Sequence, residues 1–297
     1  DQTNRVQQTE QRPRCYGGFA KVFYGELRLD SGVVNVAIKR VNPPLPDDEK
    51  TAKIIIKELK IWSRLNHQNV LQLRGYTLDC YGDFPALISE WMTNGTVRNY
   101  LEKNPEVDFF DMVKGIADGL EYLHKEEVVH ADLKSENVLI SISGTPLLTD
   151  FGISRTLIVT HTVTTLGQFL GSVYWMAYEL LAPQEWSPQG NVDTNFVNTL
   201  KQTKPAVPSK ETDVWAFGMV VYELLAKTHP FRDHTAVQAI VAIILGRLPF
   251  PPPDIQSRRG IDKSLWDLCT RCWNRGPSAR PVMRDVVMEI NGRNFVS

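Results

Sequence analysis

The feature that most constrains this chain is the stretch Val128-Val129-His130-Ala131-Asp132-Leu133-Lys134-Ser135-Glu136-Asn137-Val138-Leu139-Ile140, with Leu148-Thr149-Asp150-Phe151-Gly152 close behind it. A polar loop sits between two β-branched runs, and a second acidic turn follows. Asp132, Asn137 and Asp150 therefore fall on turns beside short strands, with Lys134 among them. Asp, Asn and Gly ordinarily mark turns, and each of these residues alone reads that way. Together they offer what a hard divalent ion and a phosphate want: one or two carboxylates, an amide oxygen and a cation.

The residues before this stretch add to that picture. Arg14-Cys15-Tyr16-Gly17-Gly18-Phe19-Ala20-Lys21-Val22 places two glycines between strand-like segments, a hairpin whose backbone can lie close to a ligand. Val33 to Arg40 is short and β-branched, hence a strand, and its period of two puts Ala37 and Lys39 on one face. Acids at Asp47, Asp48 and Glu49 open a helix running to about Leu65. Ile54, Ile55, Ile61, Trp62 and Leu65 form its apolar face, and Glu58 falls in the middle of it. A carboxylate buried there needs a partner. Lys39 is the natural one, and an exposed pairing with Lys53 or Lys57 is the plainer alternative.

Further on, Pro85 to Glu90 reads as a strand, Thr96 to Leu101 as a short helix and Val107 to His124 as a longer one. Asp213 to Leu225 is apolar nearly all round, which marks a buried helix. Helices near Thr235–Leu245, Ser264–Trp273 and Val282–Asn291 complete a helical second part. A strand-rich first third followed by helices predicts an α+β chain.

These motifs, in this order, resemble the eukaryotic protein kinase domain, and specifically the tyrosine kinase-like group of serine/threonine kinases. The catalytic loop and metal-binding turn match at Asp132, Lys134, Asn137, Asp150, Phe151 and Gly152. Val36-Ala37-Ile38-Lys39, Asp213-Val214-Trp215 and Arg280, the expected partner of Glu179, match as well. Asp132-Leu133-Lys134-Ser135-Glu136-Asn137 looks like serine/threonine kinases, whereas Trp175-Met176-Ala177 and Cys272-Trp273 look like tyrosine kinases. The departures are Ala131 for arginine, Cys15 and Ala20 for the outer glycines of the glycine-rich loop, Tyr178 for proline and Ser172 for threonine.

The resemblance implies a two-lobed fold with a small antiparallel β-rich N-lobe carrying one main helix, residues 12–91, and a larger α-helical C-lobe, residues 92–291. It leaves 1–11 as a disordered tail, 182–208 as an insertion and 292–297 as a C-terminal tail. It implies an ATP-dependent kinase acting on protein serine and threonine hydroxyls in signal transduction. In that reading Asp132 is the proton acceptor, Lys134 steadies the transferred phosphate, and Asn137 and Asp150 hold Mg²⁺, with Mn²⁺ as the substitute. Lys39, fixed by Glu58, holds the α/β-phosphates beneath Gly17 and Gly18. Val22, Ala37 and Leu139 sandwich adenine, Ser89 is the small side chain behind it, Glu90 and Met92 offer backbone hydrogen bonds, and Thr96 lies near the ribose. Thr156 to Gly171 resembles an activation loop.

Composition narrows the alternatives. The chain has 297 residues, enough for two substantial cores, and a net charge of −1, so no bulk basic field suits nucleic acid or an anionic membrane. No apolar run is long enough to span a bilayer, and no leader pattern opens the chain. Four cysteines are too few for a disulfide framework, which points to a reducing, cytoplasmic setting. Cys269-x-x-Cys272 shares helical spacing with Leu265, Leu268 and Trp273, so a buried helix face is expected rather than a metal site. The abrupt start without Met suggests further domains in a longer parent chain. A pseudokinase scaffold is the rival function, motivated by Cys15, Ala20, Ala131 and Tyr178. A P-loop switch is disfavoured because no G-x-x-x-x-G-K-[ST] string occurs.

Overall fold

The computed structural model describes residues 1–16, 20–41, 48–78, 84–151, 171–182, 207–252, 255 and 260–292. Gly17, Gly18 and Gly152 lie outside these residues, as do 156–170 of the expected activation loop, 183–206 of the expected insertion and 293–297 of the expected tail.

The N-terminal part is an antiparallel sheet. Its strands are β1 (Val6–Gln8), β2 (Cys15–Tyr16), β3 (Ala20–Leu29), β4 (Gly32–Val41), β5 (Leu73–Thr77) and β6 (Ala86–Glu90). The order is β1-β3-β4-β6-β5, with β2 also paired to β3. Pairing in register sorts the side chains by face. Val22 opposes Lys39, Tyr24 opposes Ala37, and Ala37 in turn opposes Ser89, so these share one surface. Phe23, Leu27, Val36, Ile38, Ala86 and Ile88 pack on the other as a separate small core. Strand alternation thus leaves Val22, Ala37, Lys39 and Ser89 facing the second lobe.

Asp1–Gln11, expected as a loose tail, departs from that expectation. Val6–Gln8 pairs with Gly25–Leu27 at one sheet edge, and the Gln2 amide donates to the Tyr76 carbonyl on β5 at 2.8 Å. Its polar composition suits this role because the segment contributes backbone hydrogen bonds along edges rather than a buried face.

One helix, α1 (Asp48–Trp62), lies with this sheet. Ile55, Glu58 and Trp62, at i, i+3 and i+7, are its buried line. The remaining helices of the described residues are α2 (Val97–Lys103), α3 (Phe109–Lys125), α4 (Tyr178–Leu181), α5 (Lys210–Ala226), α6 (Ala236–Ile244), α7 (Ile261–Cys272) and α8 (Met283–Asn291). Between α3 and α4 comes the short hairpin of β7 (Val138–Ile140) and β8 (Pro146–Leu148).

Helix α5 is the axis of the larger lobe. Ser209 and Thr212 form a capping box at its start, and every residue from Thr212 to Leu225 is buried. Gly218 lets α7 approach: a Cβ there would meet Cys272 Cβ and Trp273 Nε1, each at 2.8 Å. Cys269 and Cys272 are fully buried against this helix, and burial raises both thiols, Cys272 to about 12. The Cys-x-x-Cys pair is part of the core, as its helical spacing predicted.

Candidate active site

The two lobes meet where β4, α1 and the turns flanking β7 and β8 converge. Lys39 Nζ lies 3.4 Å from Glu58 Oε1 and 3.0 Å from Asp150 Oδ1. Burial alone would lower the Lys39 pKa, but Asp150 and Glu58 outweigh it and the net shift is upward, so the ammonium stays charged. Burial would likewise raise the Asp150 carboxyl, yet Lys39 pulls it below its ordinary value. At Glu58 burial wins over Lys39 and the pKa rises. Lys39 thus lies between two carboxylates, nearer to the partly exposed Asp150 than to the buried Glu58.

Asp150 holds a φ of +60°, a conformation costly for a residue with a Cβ. Phe151, buried next to it, supplies the packing that retains it. Its ring stands edge-on to Trp62 at 5.9 Å and to His130 at 6.2 Å. Helix α1, the catalytic loop and the acidic turn thus share one aromatic stack, which is how Glu58 and Asp150 come to meet the same lysine.

The loop itself is held by its backbone. Asp213, 1% exposed on α5, accepts hydrogen bonds from the His130 amide at 2.7 Å and the Ala131 amide at 2.8 Å. His124 Nε2 lies 2.9 Å from the same carboxylate. Ala131 has a φ of +68°, so two charge-assisted bonds sit on the two successive peptides that lead into a strained residue. This aims Asp132 into the cleft. Asn137 Nδ2 donates to the Asp132 carbonyl at 2.7 Å and to Asp132 Oδ2 at 3.0 Å. Both amide hydrogens are used, which turns Asn137 Oδ1 the other way. Lys134 Nζ lies 3.1 Å from Asp132 Oδ2 and donates to Ser172 Oγ at 2.8 Å. Serine in place of threonine keeps the hydroxyl that accepts from Lys134.

The cleft roof and hinge follow from the sheet register. Val22, Ala37 and Leu139 are half-buried, and Ser89 is buried beside Ala37. After β6, the Trp91 amide donates to the Asn35 carbonyl at 3.0 Å, and Gly95 donates to the Met92 carbonyl at 3.1 Å. The Glu90 side chain turns away to Arg74 at 2.7 Å. Thr96 forms a bridge with Leu139, but its hydroxyl accepts from the Asn99 amide and caps α2. That bond uses one lone pair and leaves the hydroxyl proton to donate elsewhere. Cys15 pairs with Val22 and lies over the same face, its thiol pKa raised by burial and then by Asp150.

Farther out, Arg280 forms two 2.7 Å bonds to Glu179 and one 2.8 Å bond to the Glu211 carbonyl. Tyr178 lies under the Arg275 guanidinium at 4.1 Å and receives its hydrogen bond at 2.6 Å. Two partnerships escaped the sequence reading. One is His124 with Asp213. The other is Glu223, buried on α5, which accepts from Ser135 Oγ at 2.9 Å and Arg98 at 3.2 Å. A polar residue on an otherwise apolar helix face was the available signal in both cases, because buried polar groups take partners.

Asp150 and the free Asn137 oxygen fit a hard divalent cation shared with phosphate oxygens. Among the described residues no three His, Cys, Asp or Glu side chains group to cage a metal by themselves. A charged lysine between two carboxylates, a hinge beside a half-buried apolar slot and a half-buried carboxylate on a braced loop define a nucleotide-dependent phosphoryl-transfer domain. The chain belongs to the protein kinase domain family, whose pattern matches residues 16–290. It is similar to the proto-oncogene tyrosine-protein kinase ROS of Mus musculus, at 28% identity over 91% of this chain and 11% of that protein. It is similar to mitogen-activated protein kinase kinase kinase 13-A of Xenopus laevis, at 28% over 93% of this chain and 24% of that protein. For the tyrosine protein-kinase src-1 of Caenorhabditis elegans the figures are 29%, 95% and 48%. The chain spans less than half the length of these relatives.

Proposed function

We propose that this domain is an active kinase that transfers the γ-phosphate of ATP to serine and threonine hydroxyls of protein substrates in signal transduction. The observation that carries the reading is the joint placement of Lys39, Glu58 and Asp150 with Asp132, Lys134 and Asn137 across one cleft.

Lys39, held charged by two carboxylates, binds the α/β-phosphates. Asp150 and Asn137 would hold Mg²⁺, which when bound offsets the negative charge of the phosphates. Asp132 accepts the proton of the attacking hydroxyl as the oxygen bonds to the γ-phosphorus and the bond to the ADP oxygen breaks. Lys134, bonded to both Asp132 and Ser172, stays beside that oxygen and stabilises charge on the moving phosphoryl group. Val22, Ala37, Leu139 and Ser89 enclose adenine, with the backbone of Glu90 and Met92 at its edge and Gly17 and Gly18 over the phosphates. The serine/threonine preference rests on Lys134 in the loop, since the similar proteins include both types. A cytoplasmic setting follows from the cysteine usage, and no described helix is long and apolar enough to cross a membrane. Partners are protein substrates and the further domains of a longer chain.

Incubating the pure domain with Mg-ATP and a generic protein substrate tests this. Wild type should phosphorylate serine and threonine, and Asp132→Asn should lose at least about a hundredfold of that rate. Equal transfer by both would sink the assignment. Nucleotide binding without transfer would favour the scaffold reading, for which Cys15 over the cleft is the specific observation.

Ala131 adds a regulatory expectation. The family arginine at this position pairs with a phosphorylated activation-loop residue, and alanine has no such capacity. Replacing Thr160, Thr162, Thr164 and Thr165 together with alanine should leave most of the activity, as measured by initial rates. Loss of activity in a still-folded protein would contradict this.

A further inference from the structure

Helix α5 touches the catalytic loop at a second point, which the proposed transfer leaves unused. Glu223 lies ten residues beyond Asp213, about 15 Å further along the helix axis, and its side chain is 1% exposed. Ser135 Oγ donates to Glu223 Oε1 at 2.9 Å, and Arg98 Nη1 of α2 donates to the same oxygen at 3.2 Å. Oε2 is buried with no hydrogen-bond partner among the described residues. For packing alone, an apolar side chain would cost less than a half-satisfied carboxyl in this place. The group is therefore read through what it holds, the hydroxyl of a loop residue.

Ser135 is 1% exposed, so its hydroxyl has little access to water as an alternative partner. It opens a single helical turn, Ser135–Asn137. Lys134 stands immediately before that turn, and the Asn137 amide closes it on the Lys134 carbonyl at 2.9 Å. The two side chains bonded to Asp132, those of Lys134 and Asn137, thus sit at the two ends of the turn that Glu223 holds by its first residue. Several charges act on Glu223. Burial raises its pKa to about 7, helped by Glu136 of the loop and opposed by Ser135 and Arg98. Arg98 is itself shared with Glu102 of α2 at 3.0 Å. His229, on the segment after α5, feels Glu136 and Arg98, and burial favours its neutral form.

We propose that Glu223 is a positioning residue for phosphoryl transfer: as a carboxylate it holds Ser135, and through Ser135 it sets Lys134 and Asn137 against Asp132. The inference rests on the proposed kinase activity. A charged acceptor makes the stronger bond to the serine hydroxyl, so neutralising Glu223 loosens the turn and slows transfer.

The test compares wild type with Ser135→Ala, Glu223→Gln and the double variant, by kcat between pH 6 and 8.5, urea unfolding and amide NMR. At pH 8 each single variant should lose about tenfold in kcat, and the double variant should be no slower than the slower single one. The ratio of wild type to Glu223→Gln should shrink as pH falls through about 7, where the wild-type carboxyl takes up its proton. Glu223→Gln removes a buried charge, so at pH 8 it should be at least as stable as wild type while remaining slower. A purely structural role predicts no such split. The Lys134 and Asn137 amide resonances should follow pH with a midpoint near 7 in wild type and not in Glu223→Gln. Losses that multiply in the double variant, a constant ratio across pH, or Glu223→Gln as fast as wild type would overturn the proposal while leaving the kinase activity standing. A wild type that transfers no phosphate would instead sink the kinase activity. The amide titration, which needs no turnover, then decides whether Glu223 sets the turn. If Ser135→Ala fails to fold, the Glu223→Gln comparison decides.

Discussion

Replacing Asp213 by asparagine probes how much of the active geometry is held from beneath. The wild-type carboxylate accepts the His130 amide at 2.7 Å and the Ala131 amide at 2.8 Å, with His124 Nε2 at 2.9 Å. Asparagine keeps one acceptor oxygen and sets an NH₂ group against the other donors. One backbone amide is left unsatisfied in a buried site, and the other bond loses its charge. Hydrogen bonds to charged groups contribute about 1.5–3 kcal/mol each, and an unsatisfied buried donor costs about 1–3 kcal/mol. A destabilisation of about 2–4 kcal/mol follows, a large share of the ~5–15 kcal/mol typical of a folded domain. The functional loss should be larger than stability alone dictates. Ala131 sits at φ +68°, so the freed loop relaxes towards ordinary backbone angles and carries Asp132 with it. A displacement near 1 Å costs on the order of 10²-fold in rate. Urea unfolding would give the first quantity, and initial transfer rates at saturating Mg-ATP under native conditions the second. A folded Asp213→Asn protein within about 0.5 kcal/mol of wild type, transferring phosphate within about twofold of its rate, would refute the reasoning.

Two further substitutions test the local physics. Ala131→Gly should be neutral or stabilise by up to about 1 kcal/mol, because glycine adopts the left-handed region without the Cβ penalty. A loss near 1 kcal/mol in urea unfolding, the usual cost of glycine at a regular position, would contradict the strain assigned there. For Glu223, burial raises the carboxyl from 4.5 to about 7, against the pull of Ser135 and Arg98. With the folded value above the unfolded one, its contribution to stability is fully present below pH 4.5 and lost as pH rises through about 7, roughly 3 kcal/mol in all. Glu223→Gln removes that dependence, so its advantage over wild type should grow between pH 5 and 8, and a constant difference would count against the assignment.

The sequence made one kind of structure legible and hid another. Residues whose chemistry and periodicity coincide were readable. Glu58 falls in the middle of an apolar helix face, and Lys39 ends an apolar strand, so each needed the other, and they stand 3.4 Å apart. The buried helix around Trp215 and the Cys269–Cys272 face followed from apolar spacing alone. Thr235 and Ser209 cap helices where the sequence placed their starts or close to them. Backbone-mediated features were not readable. That Lys39 lies closer to Asp150 than to Glu58 goes with the left-handed turn at Asp150, which no residue pattern announces. The edge pairing of Val6–Gln8 uses main-chain groups that every residue carries, so a polar segment gave no sign of it. His124 looked like the end of a helix because its partner lies 89 positions away.

The same distinction explains why the substitution at position 131 is compatible with the chemistry proposed. The Asp213 carboxylate holds the main-chain amides of His130 and Ala131, and neither bond involves a side chain at 131. Asp132 is then fixed by Asn137 and Lys134, and Lys134 by Ser172. No link in that chain of contacts passes through the missing guanidinium. What an arginine would add at 131 is a charge directed at the activation segment, a way of coupling a phosphate there to the loop. Under the proposed function, its absence would separate two properties: the placement of Asp132, held through the backbone, and a response to activation-loop phosphorylation. Installing Ala131→Arg should leave the rate of the unphosphorylated domain within a fewfold of wild type. The same substitution should create a response to activation-loop phosphorylation, read as the ratio of initial rates before and after phosphorylation; an equal ratio for wild type and variant would count against the reasoning.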